Sequence, residues 1–375
     1  MTGSLRIVFL LPSPNLGGGT RTIAMYAQEL KRRGHEVVVL SVPGPRRTLK
    51  RQLGSLLKGK GWQRAQRRQP SHFDGRDIDH RQIDQNRPIT DIDVPDADVV
   101  IATWWLTAEW VAALSPAKGA KAYFIQGDET LIPGLPTERV AATWRLPMHK
   151  IVCSKWLMEL AKDRYGDPTA SWVPNAVDMG QFHAPPRGKQ PVPTVGMIYT
   201  EEKFRGCDIS LAAVDKAARV LPALRLVAFG RFPLPRSLPV PKGTEFTCFP
   251  SQEEIPEIYS RCDAWLWASR REGFGLPLLE AMACRTPVIA TPAGAAPELV
   301  AEGGGRLVPH DDPSGMARAI EELCTLPDPA WRAVSDRADA TARQHTWARS
   351  SDLFESALRS AVEVSVASRR RNRSA

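Results

Sequence analysis

The sequence predicts an α/β protein in which two parallel sheets are each covered by helices. Three observations predict it. Strand, turn and helix units recur in both halves of the chain, and a proline-rich stretch separates those halves. The chain is also large enough: 375 residues, 43% of them hydrophobic, supply two domains of about 150 to 200 residues with a core in each. No internal repeat of solenoid period is present.

Taken in order, residues 5–11 read as a buried strand, 20–33 as an amphipathic helix ended by Gly34, and 36–41 as the second strand. Further strands are expected at 98–102, 121–125 and 150–153. Residues 175–177 and then Pro185-Pro186-Arg187-Gly188-Lys189-Gln190-Pro191-Val192-Pro193 continue neither a helix nor a central strand, which places the interdomain linker there. The second half restarts with a strand at 194–198, a helix at 208–220 and strands at 225–229, 265–267 and 287–290. Helices from Pro313 onward close the chain. The expected division is 1–184, carrying a basic insertion at 43–95, then 185–345, then a terminal segment 346–375. In that last segment Leu353, Phe354, Ala357, Leu358 and Ala361 recur at helical spacing.

Composition narrows the class. No apolar run approaches the roughly 18 residues that span a bilayer, and residues 5–11 are too short for a signal-peptide core, so a cytoplasmic protein is expected. Six scattered cysteines, Cys153, Cys207, Cys248, Cys262, Cys284 and Cys324, form no Cys-x-x-Cys pair and fit reduced thiols without structural zinc. The formal charge is +9, and residues 46–68 hold nine Lys or Arg and no acid. Leu49, Leu53, Leu56, Leu57 and Trp62 interleave with those charges, and Arg369, Arg370, Arg371 and Arg373 follow in the tail. Two readings of residues 46–68 stand level: an amphipathic segment resting on an anionic membrane surface, which would make the protein peripheral at the inner face of the membrane, or a solvated insertion. Nucleic acid is not expected as a partner, because no binding motif accompanies the charge.

Three look-alikes are dismissed. Residues 54–60 copy most of a P-loop, but Gly61 replaces its Ser or Thr and no apolar strand precedes it. Asp77-Ile78-Asp79, Asp91-Ile92-Asp93 and Asp96-Ala97-Asp98 imitate a metal-binding Asp-x-Asp, yet three copies in a polar stretch suggest solvated turns, and no metal is expected. The histidines lack ligand spacing and there is no Gly-x-Ser-x-Gly elbow.

The most informative segment runs from Arg271 to Thr291: Arg-Glu-Gly-Phe-Gly-Leu-Pro-Leu-Leu-Glu-Ala-Met-Ala-Cys-Arg-Thr-Pro-Val-Ile-Ala-Thr. Pro277 suits a first helical turn, so a helix should begin near Leu276 with Glu280 about one turn inside it and Glu272 in the loop before it. The glycines permit a tight turn whose N–H groups, at a helix N-terminus, suit a phosphate. Carboxylates repel phosphate, so Glu272 and Glu280 should meet hydroxyl groups on either side of it. A nucleotide sugar combines these features.

Glu272 and Glu280 with their intervening residues, followed by Ala-Met-Ala-Cys-Arg-Thr-Pro-Val-Ile-Ala, resemble the donor-site signature of retaining glycosyltransferases of family 4. The resemblance implies the GT-B fold, two Rossmann-like domains with parallel sheets facing across a cleft and a last helix crossing back to the first domain. A simple C-terminal core helix is the alternative for that segment. It further implies that Glu280 binds ribose hydroxyls, that Glu272 contacts the transferred sugar, and that amides of Gly273, Phe274, Gly275 and Leu276 face the diphosphate. Family members usually carry an arginine after the glycine of the first strand in this domain and a Lys-Gly at the next helix. Here Met197 replaces the arginine and Arg205-Gly206 stands in place of Lys-Gly, so the cationic role passes to Arg205, with Lys203 a candidate for the missing charge. A solvated basic loop is the bland reading of the same residues.

In the first half, Pro12-Ser13-Pro14-Asn15-Leu16-Gly17-Gly18-Gly19-Thr20-Arg21 opens a helix, but it lacks the Gly-x-Gly-x-x-Gly and the acidic ribose ligand of a dinucleotide site. By the resemblance, Gly18 and Gly19 let this loop approach the sugar diphosphate; a purely structural turn is the alternative. The stretch around Trp104 and Trp105, with Tyr123 to Glu129, resembles the rhamnosyltransferase-like subgroup. Gln126, Asp128 and Glu129 leave the C-terminal end of a strand, where ligands of parallel sheets bind, and are acceptor-side candidates. Capping by Asp128 is equally compatible, and tryptophans in a sheet are more often core than sugar platforms.

The expected function is a metal-independent, retaining transfer of a sugar from a nucleoside-diphosphate sugar, as donor substrate with no cofactor, to a sugar or lipid-linked acceptor in cell-surface polysaccharide or glycoconjugate synthesis. Glu272, Lys203 and Arg205 carry the chemistry. A nucleotide-sugar epimerase on the same fold and a non-catalytic membrane scaffold are the alternatives.

Overall fold

The computed structural model describes residues 3–44, 70–235 and 237–374, with side chains as far as Arg371. The basic segment 46–68 and the P-loop look-alike at 54–60 lie outside the described residues. The chain divides into two compact units: residues 1–152, 157–173 and 351–375 in the first, and 153–156 with 174–350 in the second.

The first unit contains β1 (Arg6–Leu11), α1 (Gly18–Arg32), β2 (Glu36–Ser41), β3 (Asp79–Gln82), β4 (Val99–Ala102), α2 (Trp105–Ala113), β5 (Ala120–Ile125), α3 (Thr137–Thr143), β6 (His149–Val152), most of α4 (Lys155–Tyr165), and β7 (Ser171–Trp172). The strands form one sheet in the order β3-β2-β1-β4-β5-β6-β7. Every pairing in it is parallel, with Phe9 of β1 opposite Val39 and Ile101. Five of the six residues of β1 are buried, because a parallel strand with helices on both faces has no wet side.

The second unit contains β8 (Thr194–Tyr199), α5 (Cys207–Ala217), β9 (Arg225–Gly230), β10 (Glu245–Cys248), α6 (Ile255–Ser260), β11 (Ala264–Trp267), α7 (Leu276–Ala283), β12 (Val288–Ala290), α8 (Ala296–Val300), β13 (Gly305–Leu307), α9 (Pro313–Thr325) and α10 (Asp328–Gln344). Its sheet runs β10-β9-β8-β11-β12-β13, again entirely parallel. In both sheets the chain winds outward from the first strand in one direction and then returns to wind in the other. The crevice of each doubly wound sheet is therefore at β1/β4 and β8/β11, where ligands of such sheets bind.

The last helix, α11 (Trp347–Ser374), contributes its residues from Ser351 onward to the first unit. Phe354 is fully buried there, its ring 4.4 Å from Tyr26, 5.2 Å from Phe124 and 6.1 Å from Phe9. Those three rings belong to α1, β5 and β1, so the terminal helix completes the core of the sheet that begins the chain.

Several elements differ from the sequence expectation. The proline-rich stretch is fastened into the second unit, whose continuous part begins at Pro174. Arg187 donates to the carbonyl of Cys262 and to Thr286 Oγ1 at 3.0 Å, and its guanidinium lies 4.6 Å from the Trp331 ring. Lys189 Nζ donates to the carbonyls of Cys324 and Leu326 at 2.6 and 2.8 Å, satisfying the end of α9. Proline excludes regular structure without excluding such side-chain anchoring. Strands β3, β7, β10 and β13 were not anticipated. β3 reads Asp-His-Arg-Gln on a sheet edge, half-buried at most, and its pattern carries no apolar signal.

The Asp-x-Asp copies are each engaged locally: Asp77 with Lys31 at 2.5 Å, Asp79 with Arg81 at 2.5 Å, Asp93 with Arg87 at 2.6 Å, Asp96 with Lys118 at 3.8 Å and Asp98 with Arg6 at 2.9 Å. Asp91 accepts from the Ser115 amide at 2.9 Å. Asp79 is in β3 and not in a turn. All six cysteines are unpaired thiols, and Cys248 alone among them is exposed. Among the described residues, no helix is long and apolar enough to cross a membrane.

Candidate functional site

The second unit assembles its candidate residues around the β8/β11 crevice. α7 begins at Leu276 with Pro277 in its first turn, and Gly275 before it has φ 99°, a left-handed conformation that turns the chain sharply into the helix. Glu280 is thereby carried one turn into α7 and is 8% exposed. Tyr259, fully buried in α6, donates its hydroxyl to Glu280 Oε2 at 3.1 Å. A second glycine is required beside the turn. Gly294 has φ 64°, and a Cβ there would lie 2.6 Å from the Phe274 carbonyl and 2.8 Å from Glu272 Cβ.

Glu272 precedes the helix in the loop, its side chain only 11% exposed. Ser269 Oγ donates to Glu272 Oε1 at 2.8 Å, and Arg205 Nη1 pairs with the same oxygen. Burial pushes the Glu272 carboxyl above its usual range, and Arg205 and Ser269 pull it back. The turn carbonyl of Gly273 accepts from Ser154 Oγ at 2.8 Å and Trp156 Nε1 at 3.0 Å, both within the same unit. The Ala295 amide donates to the Phe274 carbonyl at 2.8 Å. The turn is thus held by its carbonyls.

The facing loop follows β8. Met197 is buried in the core of this unit, 1% exposed, so the position where an arginine was expected carries no charge and no access to the crevice. Lys203, Phe204 and Arg205 form one turn of 3₁₀ helix, ended by Gly206 at φ 65°. A Cβ at Gly206 would lie 1.9 Å from the Ala268 carbonyl, so only glycine permits this loop to approach the end of β11. Lys203 is exposed and Arg205 half-buried. Arg270 joins the loops: it donates to Asp208 at 2.9 Å, to Asp311 at 2.6 Å and to the Lys203 carbonyl. Asp208 in turn is held below its usual carboxylate range by Arg270.

In the first unit, Gly18 and Gly19 open α1 beside the β1/β4 crevice. Asn15 Oδ1 accepts from the Gly17 amide at 2.6 Å and from Thr20 Oγ1 at 3.2 Å, which closes the loop in front of the helix. Gln126 Nε2 donates to the Gly19 carbonyl at 3.3 Å, joining two candidates of this unit. Asp128 and Glu129 turn inward. Asp128 caps the short helix Glu129–Leu131 through the Thr130 amide at 3.0 Å and its hydroxyl at 2.6 Å. Glu129 is 5% exposed, accepts from the Trp105 amide at 2.7 Å, and is pushed up to about 8 by burial. Trp105 is 7% exposed, a core residue at the start of α2.

Four residues beside the carboxylates and loops were given no role from the sequence. Ser269, Arg270 and Arg271 directly precede Glu272, so proximity in sequence was the available signal. Tyr259 is 21 positions from Glu280, and no period connects them.

These two doubly wound parallel sheets, with candidate residues at the C-terminal ends of their central strands, define a GT-B-type α/β architecture. The Anabaena HepE structure in complex with UDP and glucose has the same fold, with a TM-score of 0.69 at 18% identity over 95% of this chain and all of that one. A point mutant of S. aureus TarM gives a TM-score of 0.68 at 10% identity, covering 94% of this chain and 99% of its own. Residues 191–325 match the family Glycosyl transferases group 1, so the second unit carries a domain of that type. The chain is 34% identical over 96 residues to the O-antigen chain mannosyltransferase B of Escherichia coli, covering 25% of this chain and 24% of that protein. It is 33% identical over 136 residues to the D-inositol 3-phosphate glycosyltransferase of Corynebacterium kroppenstedtii, covering 35% and 30%. The chain thus spans less than a third of the length of each of these two curated relatives.

Proposed function

We propose that this protein is a retaining glycosyltransferase that moves a sugar from a nucleoside-diphosphate sugar to an acceptor hydroxyl. The observation that carries the reading is the pair of carboxylates, Glu280 buried and Glu272 largely so, on either side of the Gly273-Phe274-Gly275 turn at the β8/β11 crevice. In this reading Glu280, oriented by Tyr259, accepts hydrogen bonds from the ribose, and Glu272 accepts them from the transferred sugar. Amides of the turn and of Leu276 face the diphosphate, with Lys203 and Arg205 opposite. Positive charge placed before reaction stabilises the leaving diphosphate as its negative charge grows. Same-face attack, assisted by that phosphate, follows from the resemblance to family 4.

UDP-sugar complexes of HepE favour uridine as the first base to try. The O-antigen enzyme among the relatives supports a place in polysaccharide or glycoconjugate synthesis. In the first unit, Gln126, which donates to the Gly19 carbonyl, is the better acceptor-side candidate, since Asp128 and Glu129 are engaged internally. The membrane reading of residues 46–68 is kept as a proposal on charge alone.

The test is calorimetric titration of UDP, GDP, dTDP and ADP, with and without magnesium, into wild type and Glu280→Gln. Binding of one nucleotide to wild type, weakened in the variant, is expected. Transfer of labelled sugar with retained anomeric configuration then establishes the reaction. Absence of binding by all four removes the donor-site reading.

A further inference from the structure

Four cations lie in the loops that follow the two central strands of this unit: Lys203 and Arg205 after β8, Arg270 and Arg271 after β11. Their electrostatic situations differ. Arg205 pairs with Glu272 and lies 3.7 Å from Glu202, and Arg270 is divided between Asp208 and Asp311. Both are therefore compensated by carboxylates within the protein. Among the described residues, Lys203 and Arg271 have no ion pair and their side chains no hydrogen bond.

We infer that Arg271 is a further diphosphate-binding residue, acting with Lys203 in place of the cation that Met197 lacks. The inference rests on the donor-site reading above. A diphosphate brings negative charge that must be neutralised in the crevice. Moving Arg205 wholly onto it would strip the counter-charge from Glu272, a carboxylate already penalised by burial, so Arg205 is an expensive source. Arg271 has no such debt.

Geometry supports the assignment. The Arg271 guanidinium lies 4.8 Å from the centre of the Phe204 ring, and the Arg205 guanidinium 4.9 Å from the same ring. The Phe204 ring therefore brings two of the cations, Arg205 and Arg271, to one place. A guanidinium over an aromatic ring is attracted by its charge and does not need its N–H groups for conventional hydrogen bonds there. Arg271 is thus oriented without its donors being used, and those donors match phosphate oxygens as a fork. The Arg271 carbonyl also lies 3.1 Å from Ser269 Oγ, whose single proton goes to Glu272.

The experiment compares a nucleoside diphosphate with its monophosphate. UDP and UMP, or the pair of whichever base binds wild type, are titrated calorimetrically into wild type, Arg271→Gln, Arg271→Lys and Glu280→Gln. Arg271→Gln is expected to weaken the diphosphate about tenfold or more while changing the monophosphate less than about threefold. Arg271→Lys should recover part of the loss, and Glu280→Gln should weaken both ligands alike through the ribose. If Arg271→Gln matches wild type while Glu280→Gln weakens both, the role of Arg271 is overturned and the donor site stands. Equal losses of diphosphate and monophosphate in Arg271→Gln also overturn it, since the residue would then only prop the turn. Failure of wild type to bind any of the four nucleoside diphosphates removes the donor site and this assignment together.

Discussion

Arg205 and Glu272 form an ion pair inside the second unit, and Ser269 donates to the same carboxylate oxygen at 2.8 Å. A residue expected to meet phosphate thereby holds a residue expected to meet sugar. Glu272→Gln removes the charge that retains Arg205. The free nucleoside diphosphate is then expected to bind several-fold more tightly, while sugar transfer falls by two orders of magnitude or more. Titration calorimetry and a labelled-sugar assay on the same preparation check both directions. Weaker diphosphate binding would mean that Arg205 does not reach the phosphates.

Tyr259→Phe deletes the hydroxyl that donates to Glu280 and keeps the ring among Trp265 and Phe229. Hydrogen bonds to charged groups are worth roughly 1.5–3 kcal/mol. A loss of about tenfold in nucleotide affinity is expected, for diphosphate and monophosphate equally, because the effect passes through the ribose carboxylate. A variant that binds as wild type does would show that Glu280 needs no orienting partner.

Gly294→Ala places a methyl group against the Phe274 carbonyl at a backbone φ of 64°. Both terms act against the native turn, and left-handed backbone alone costs roughly 1–2 kcal/mol for a residue with a Cβ. The melting temperature should fall by several degrees and nucleotide binding should weaken with it. An unchanged melting curve would show that the turn relaxes without cost.

Glu129 gives a pH dependence of defined sign. Its carboxyl is raised from 4.5 to about 8 in the fold by burial, so between those values the native state keeps a proton that the unfolded chain releases. Stability must therefore fall as pH rises through that window, by at most about 1.4 kcal/mol per pH unit from this group. Glu129→Gln keeps an acceptor for the Trp105 amide and removes the titration. Chemical denaturation between pH 5 and 8, roughly the span in which this linkage acts, should show a flatter profile for the variant. Identical slopes would exclude Glu129 as the group responsible.

Phe354→Ala empties a fully buried ring site between Tyr26, Phe124 and Phe9. Phe-to-Ala changes in cores cost about 3–5 kcal/mol. Urea unfolding should report a loss of that order in the transition of the first unit. A loss near zero would mean that the terminal helix docks without contributing to that core.

Much of this architecture was legible in the chain. Strands β1, β2, β4, β5, β6, β8, β9, β11 and β12 are apolar runs because each is buried among helices, and burial on both faces writes itself directly into composition. Helix α7 was legible from Pro277, Glu280 and the preceding glycines, since these act through backbone conformation at their own positions. The edge strands β3 and β10 were not, because an edge half open to water tolerates polar residues that resemble a loop.

What the sequence by itself determined is the local grammar: where strands are buried, where the turn before α7 must carry glycine, and which carboxylates stand on either side of it. Tertiary structure alone decided the pairings between distant positions. Tyr259 on Glu280 joins two helices, Arg270 across Asp208 and Asp311 ties three segments together, and Arg205 on Glu272 and Phe204 under Arg271 join loops at the ends of β8 and β11. Those strands are neighbours only because the sheet winds out in one direction and returns to wind in the other. Spacing along the chain records backbone preference; which charges compensate one another depends on the order in which strands come to lie side by side.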